Sequence, residues 1–308
     1  VNQARQLTQG ALMLAVYLVL LLITIYVPLL SLVANLFLIF PFLYYSAKHP
    51  AKFSFVLFIG ALILSAVVGT VMNLPLTIMY GTTGIAMGLC IRYKKSKLFT
   101  YAVSSFVFLI NLIVQYAVAA VIFNMKFIDD MLKQVQTSIN QSVDLMEKFG
   151  QTVDPRVTSQ LDAMAGLVKT LMPSLFVMGS FLLVVLLMAV NFPLARRFHV
   201  DVPVFKPFRQ MQLPKSLLWY YLITIVISLL VGKTESGFAH SALLNVSFML
   251  LTLFYLQGLS FIYFICHNKN VPNAVAVILT IITFQMLSLV SILGMLDLGF
   301  AMRQRFQR

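Results

Sequence analysis

The chain is 308 residues long, 60% hydrophobic and only 10% Asp, Glu, Lys or Arg, with a mean hydropathy of +0.94 and a formal net charge of +13. Such a composition excludes a water-soluble globular domain and leaves a polytopic membrane protein. The positive charge sits on sparse loops, which argues against nucleic acid as a partner and follows from retention of Lys and Arg on the cytoplasmic side during insertion.

The first span emerges from VNQARQLTQG and reads as an uncleaved helix rather than a signal peptide, because no small-residue cleavage site follows its apolar run. From Ala11 to Ala47 there are 37 residues without Asp, Glu, Lys, Arg or His. Since about 20 apolar residues cross the hydrocarbon core as a helix, this run holds two spans, Ala11 to Val27 and Leu32 to Ser46, turning at Pro28 and Ser31. Phe53 to Ile91 is likewise free of ionisable groups. Asn73 and Pro75 divide it into Phe55 to Val71 and Leu76 to Ile91. A fifth span runs from Phe99 to Phe123, a sixth from Leu171 to Phe192, a seventh from Leu217 to Gly232, an eighth from Ala242 to Cys266 and a ninth from Val271 to Gly294. The expected fold is an all-α transmembrane bundle of eight or nine spans.

With the N-terminus in the cytoplasm, 13 basic residues fall inside (Arg5, Lys48, Lys52, Arg92, Lys94, Lys95, Lys97, Arg196, Arg197, Lys206, Arg209, Lys215 and Lys269) and 6 outside (Lys126, Lys133, Lys148, Arg156, Lys169 and Lys233). The asymmetry fits the positive-inside rule. Nine crossings would nevertheless put the tail bearing Arg303, Arg305 and Arg308 outside. Either the tail breaks the rule or one run does not cross, the second and ninth being the weakest spans.

Three regions follow: a five-span bundle over residues 1–124, an extracytoplasmic segment over 125–170, and C-terminal spans over 171–308 that include a basic, proline-rich loop at 193–216. In the middle segment Ile128, Leu132, Val135, Ile139, Met146 and Phe149 recur at helical spacing, so Phe127 to Phe149 reads as an amphipathic helix. Gly150 punctuates it, and Asp154 before Pro155 caps a second helix running into the sixth span. This hairpin is either a helix packed at the interface or a lid over an outward cavity. In the basic loop, Pro193, Pro203, Pro207 and Pro214 forbid a continuous helix. Arg196, Arg197, Phe208, Arg209 and Trp219 suit anionic lipid or a cytoplasmic partner.

No span core carries an ionisable residue, Asp297 standing only at the end of the ninth, which disfavours a proton-driven pump. The sequence has no HExxH, GxSxG, Walker loop or paired intramembrane carboxylate, so it offers no enzyme site, no cofactor and no metal centre. Cys90 and Cys266 read as free thiols at helix ends, without a CxxC pattern. The spans do carry uncharged polarity. Asn73, Tyr80, Asn111, Gln115 and Gln257 are glue between helices or, alternatively, the lining of a cavity for a neutral ligand. Ala11 and Ala15, and Gly84 and Gly88, each lie four apart on one helix face and permit close approach of another helix.

The opening ALMLAVY, the Gly-rich fourth span, FRQMQLPKSLLW and the closing LGMLDLGFAMRQR resemble an uncharacterised family of bacterial multi-pass membrane proteins typified by YybS of Firmicutes. That family is distantly similar to the substrate-binding S components of energy-coupling-factor transporters. The resemblance implies an S-component-like core in the cytoplasmic membrane, with Ala11 and Ala15 meeting a membrane coupling subunit and separate ATPases supplying energy. The expected role is capture of a small neutral or polar solute; the alternative is a scaffold or regulatory protein docking a cytoplasmic partner.

Overall fold

The structure, a computed structural model, describes residues 2–122, 127–148, 155–204, 207–231 and 237–303, and every regular element among them is helical. The helices are α1 (Asn2–Tyr26), α2 (Pro28–Phe37), α3 (Phe40–Lys48), α4 (Ala51–Gly69), α5 (Leu74–Arg92), α6 (Lys97–Ile122), α7 (Phe127–Lys148), α8 (Pro155–Arg197), α9 (Ser216–Val231), α10 (Phe238–Asn268), α11 (Asn273–Gln285) and α12 (Leu287–Phe300). Among the described residues seven helical stretches are long and apolar enough to cross a bilayer, or eight if the bent pair α11 and α12 counts as one. The expected seventh span is α9, whose 16 residues reach about 24 Å, short of the ~30 Å hydrocarbon core.

The breaks between helices have local causes. Pro28 opens α2, as expected from its fixed φ and missing N–H. The second span is further broken at Leu38 and Ile39, where Pro41 cannot bond to the Phe37 carbonyl and its ring crowds it. A buried side chain from α8 compensates nearby: Asn191 Nδ2 donates to Leu36 O at 2.8 Å. Freed backbone groups inside a membrane need such partners. Pro193, expected to end helical structure, instead lies within the last turn of α8, and the non-helical loop begins after Arg197.

The chain forms two compact units, Val1–Phe127 with Phe176–Val204, and Ile128–Leu175 with Phe205–Arg308. This differs from the expected division at residues 124 and 170. α8 is continuous over 43 residues, and its C-terminal part packs with the first five spans, through Val184, Leu187, Met188 and Phe192, around a core of Tyr17, Leu21, Leu38, Phe42, Leu43 and Met87. Tyr17 Oη lies 2.7 Å from Thr77 Oγ1, which donates to Ser65 Oγ at 2.7 Å, joining α1, α5 and α4 by uncharged polar groups. Gly84 and Gly88 serve this packing: a Cβ on Gly84 would stand 2.9 Å from Ile39 O, and one on Gly88 2.5 Å from Leu43 O.

In the middle segment, α7 matches the expected amphipathic helix to within a residue, and α8 begins at Pro155. Gly150 and Asp154, on which the hairpin turn and cap were read, lie outside the described residues.

In the second unit, α10 and α12 pack in parallel. Ser291 Oγ donates to Leu251 O at 3.1 Å, Gly294 abuts Phe254, and Gln257 reaches Asp297 at 2.6 Å, so both numberings rise together. α11 runs the other way: Tyr263 pairs with Thr280 at 2.8 Å and Tyr255 with Thr283 at 3.4 Å. Between them the axis turns by 106° at Met286. No proline or glycine stands there, but Thr280 and Thr283 bond back to the carbonyls of Ala276 and Thr280, which bends helices. The expected ninth span is thus a re-entrant hairpin, returning the chain toward the end of α10 from which it left. That places Arg303 beside Arg209.

Candidate functional site

The hairpin brings Asp297 and Arg303 against Gln257 of α10 in the second unit. α10 and α12 approach so closely that a Cβ on Gly258 would run into Val290 O and one on Gly294 into Phe254 O. One turn further along, Gln257 faces Asp297. Ala301 then adopts φ 48° and ψ 48°, ending α12 with a left-handed residue, and the chain swings Arg303 back over the same carboxylate.

Asp297 Oδ2 accepts from Gln257 Nε2 at 2.6 Å and from Arg303 Nε at 3.0 Å. The ion-paired side chains are only 2% and 6% exposed, respectively. Two charges can stay this deeply buried only when paired and hydrogen-bonded. The remaining guanidinium donors find Arg209 O at 2.9 Å and Ser260 Oγ at 3.1 Å. Ser260 in turn donates to Phe208 O at 2.7 Å or Met211 O at 3.1 Å, and Gln257 Oε1 accepts from the Leu213 N–H at 3.0 Å. The faces of Phe261 and Phe264 lie 6.0 and 5.6 Å from the Arg303 guanidinium carbon, within cation–π range. The network therefore fastens the loop Phe208 to Leu213 onto α10 and α12.

Beside it lies a cavity of about 300 Å³ lined by Gln212, Leu213, Pro214, Lys215, Gln257, Asp297, Leu298, Ala301 and Arg303. With Asp297 neutralised by Arg303, Lys215 leaves the lining with one net positive charge. Gln257 supplies an amide at the junction of loop and helices. Such a lining can orient a small polar molecule by hydrogen bonds and favour a negative group on it.

The family model described as "Predicted membrane protein (DUF2232)" matches residues 15–298. The chain belongs to this family. It is 30% identical to the "Uncharacterized protein YybS" of Bacillus subtilis (strain 168), over 99% of each chain. No solved structure matches it. This DUF2232 chain is therefore a multi-pass membrane protein, and the relation to S components has no support among these matches.

The five residues read as a possible cavity lining are not brought together. In the first unit Asn73 donates to Gly69 O, Asn111 to Thr82 Oγ1 at 2.9 Å and Gln115 to Pro75 O at 2.8 Å. Tyr80 packs edge-on to Phe108. The Asn111, Gln115 and Tyr80 contacts join α5 to α6. Gln257 alone of the five lines the polar cavity described above.

Ala11 and Ala15 are both exposed, on the side of α1 turned from buried Met13, Tyr17 and Leu21. Of the basic-loop residues, Arg196 and Arg197 are exposed in the first unit, with Arg196 bonded to Pro203 O at 3.2 Å. Phe208, Arg209 and Trp219 belong to the second. Phe208 packs its ring on Tyr263 while Trp219 stays 67% exposed.

Asp297 and Arg303 were not among the residues singled out. The signal available was the one carboxylate in the C-terminal apolar run, six positions before an arginine. Among the described residues no three His, Cys, Asp or Glu side chains gather as for a metal.

Proposed function

We propose that this protein is the solute-capturing subunit of a membrane transport system, taking a small polar solute into the cavity of its second unit and relying on separate subunits for energy. The observation that carries the reading is the convergence of Gln257, Asp297, Arg303 and Lys215 on one cavity at a broken, re-entrant helix pair. Discontinuous helices beside polar groups are how carriers build solute sites inside a bilayer. The Asp297 and Arg303 charges beside this cavity are buried in the protein, and ionisable groups enclosed within a membrane protein are the kind that mark solute or ion pathways. The cavity volume suits a small solute, and the net charge of its lining favours one bearing a carboxylate or another anionic group.

The sequence holds no phosphate-binding glycine loop, so energy would come from ATPases acting through a membrane coupling subunit. The exposed Ala11 and Ala15 face gives such a subunit room for close helix approach. The alternative, a scaffold that docks a cytoplasmic partner, draws its support from the exposure of Trp219 and Phe208 beside Arg209.

The test uses the purified full chain in mild detergent, screened for thermal stabilisation by amino acids, dicarboxylates, nucleobases and phosphorylated sugars. A hit in the wild type that is lost in Gln257→Leu and weakened in Lys215→Gln supports solute capture. No stabilisation by any probe, together with a soluble protein that crosslinks to a photoreactive group at Trp219, would favour the scaffold.

A further inference from the structure

The first unit carries a second cavity, of about 440 Å³, whose chemistry is opposite to that of the first. Its lining is Gln9, Leu12, Met13, Val16 and Leu20 of α1 with Phe37, Phe40, Tyr44, Leu194 and Phe198. From Gln9 to Leu20 α1 rises about 16 Å, which is one leaflet's share of a ~30 Å hydrocarbon core. The groove is thus as long as one acyl chain is deep. Gln9 is the only side chain in the lining that carries an amide, and it stands at one end.

That same end is cationic. Arg5 lies one helical turn before Gln9 on the groove face of α1 and is exposed. Lys48 Nζ is held there by Tyr44 Oη at 2.8 Å and Phe198 O at 2.9 Å, 4.4 Å from the centre of the Tyr44 ring. Arg196 and Arg197 close α8 immediately before Phe198. Across residues 1–127 and 176–204 the sequence has a single acidic side chain, Asp201. An apolar slot one leaflet deep, ending in tyrosine, lysine and arginine, has the charge and shape complement of one lipid class.

We propose that this groove is a binding site for an anionic phospholipid, with one acyl chain along α1 from Leu12 to Leu20 and the phosphate at Arg5 and Lys48. The lipid fills the slot between α1, the broken helix pair α2 and α3, and the end of α8. Phe37 and Phe40, on either side of the break, line the slot. The site is independent of the polar cavity and of the transport reading.

The experiment adds phosphatidylglycerol, or phosphatidylcholine with the same chains, to delipidated full-length protein in a neutral detergent and counts bound lipids by native mass spectrometry. The expected result is one retained phosphatidylglycerol, held more tightly than phosphatidylcholine. Leu12→Trp, which fills the groove from an exposed position, abolishes retention of both lipids, whereas Ile113→Trp on the exposed face of α6 does not. Arg5→Gln and Lys48→Gln each weaken phosphatidylglycerol by roughly fivefold and leave phosphatidylcholine unchanged. Arg5 is exposed, so its variant stands if Lys48→Gln fails to fold. Equal retention of the two lipids, insensitivity to Leu12→Trp, or a dimer mass that persists in place of bound lipid would each overturn the proposal.

Discussion

Breaking the Asp297 and Arg303 pair gives the sharpest test of the second unit. Asp297→Leu leaves a guanidinium in a site where the arginine side chain is only 6% exposed, and Arg303→Met leaves a carboxylate that is only 2% exposed. An uncompensated buried charge costs about 3–5 kcal/mol. The double variant Asp297→Leu with Arg303→Met removes both charges and keeps apolar volume. Its remaining penalty is the Gln257 amide without its acceptor, about 1–3 kcal/mol. Each single change should therefore destabilise more than the pair of changes together. Cys266, buried on α10 of this unit, reports local opening through its rate of reaction with a thiol reagent, and Cys90, buried in the first unit, serves as internal control. A shift of this size raises Cys266 labelling roughly a hundred- to several-thousandfold in the singles, with Cys90 unchanged. Additive effects in the double variant, or singles that change labelling less than tenfold, would refute the claim that the charges are held only by one another.

Gly294→Ala places a methyl against Phe254 O; such overpacking costs about 1–3 kcal/mol, and Cys266 labelling should accelerate accordingly. His49 sits just beyond the second span with Nε2 2.7 Å from Gln9 Oε1, and burial first, then Arg92, Lys48 and Arg5, push its pKa below the ordinary value near 6.5. As pH falls below that value the unfolded chain takes up a proton that the folded histidine resists, so stability present above pH 6.5 is lost on acidification toward the folded pKa. Thermal unfolding midpoints should fall from about pH 7 to about pH 5 in the wild type, and fall less in His49→Gln. Ala15→Leu, on the exposed face of α1, should change the unfolding free energy by less than about 0.5 kcal/mol while reducing co-purification with a membrane partner; a marked loss of stability would place Ala15 in internal packing.

What the sequence made legible was local. Charge-free runs located the spans, Pro28 and the Asn73–Pro75 pair located two breaks, and Gly84 with Gly88, four apart on one helix, announced a close contact. The break at Leu38 was readable from Pro41 but hidden inside an unbroken apolar run. The polar site was not legible because its members are far apart in the chain. Gly258 and Gly294 form no motif together, though each removes the side chain that would hold the other helix away. Asp297 and Arg303 look like the frayed end of a span until the bend at Met286 turns that span back. Nothing in the hydropathy of residues 273–300 encodes a 106° turn, since both halves are apolar enough to be read as one crossing.

The parallel contact between α10 and α12 bears on how the protein is made. When α10 first enters the bilayer, the Gln257 oxygen can already meet the Leu213 N–H, but its amide nitrogen still lacks the Asp297 acceptor, and lipid tails cannot satisfy an amide. α11, with 13 residues, is too short to cross by itself, so the hairpin has to enter beside a helix already in place. Synthesis must reach Asp297 and Arg303 before that face closes. The second unit is therefore latched late in synthesis, and a ribosome stalled between α10 and α12 would leave a chain with a polar scar in the membrane, a mark by which quality-control proteases could tell an unfinished copy from a finished one.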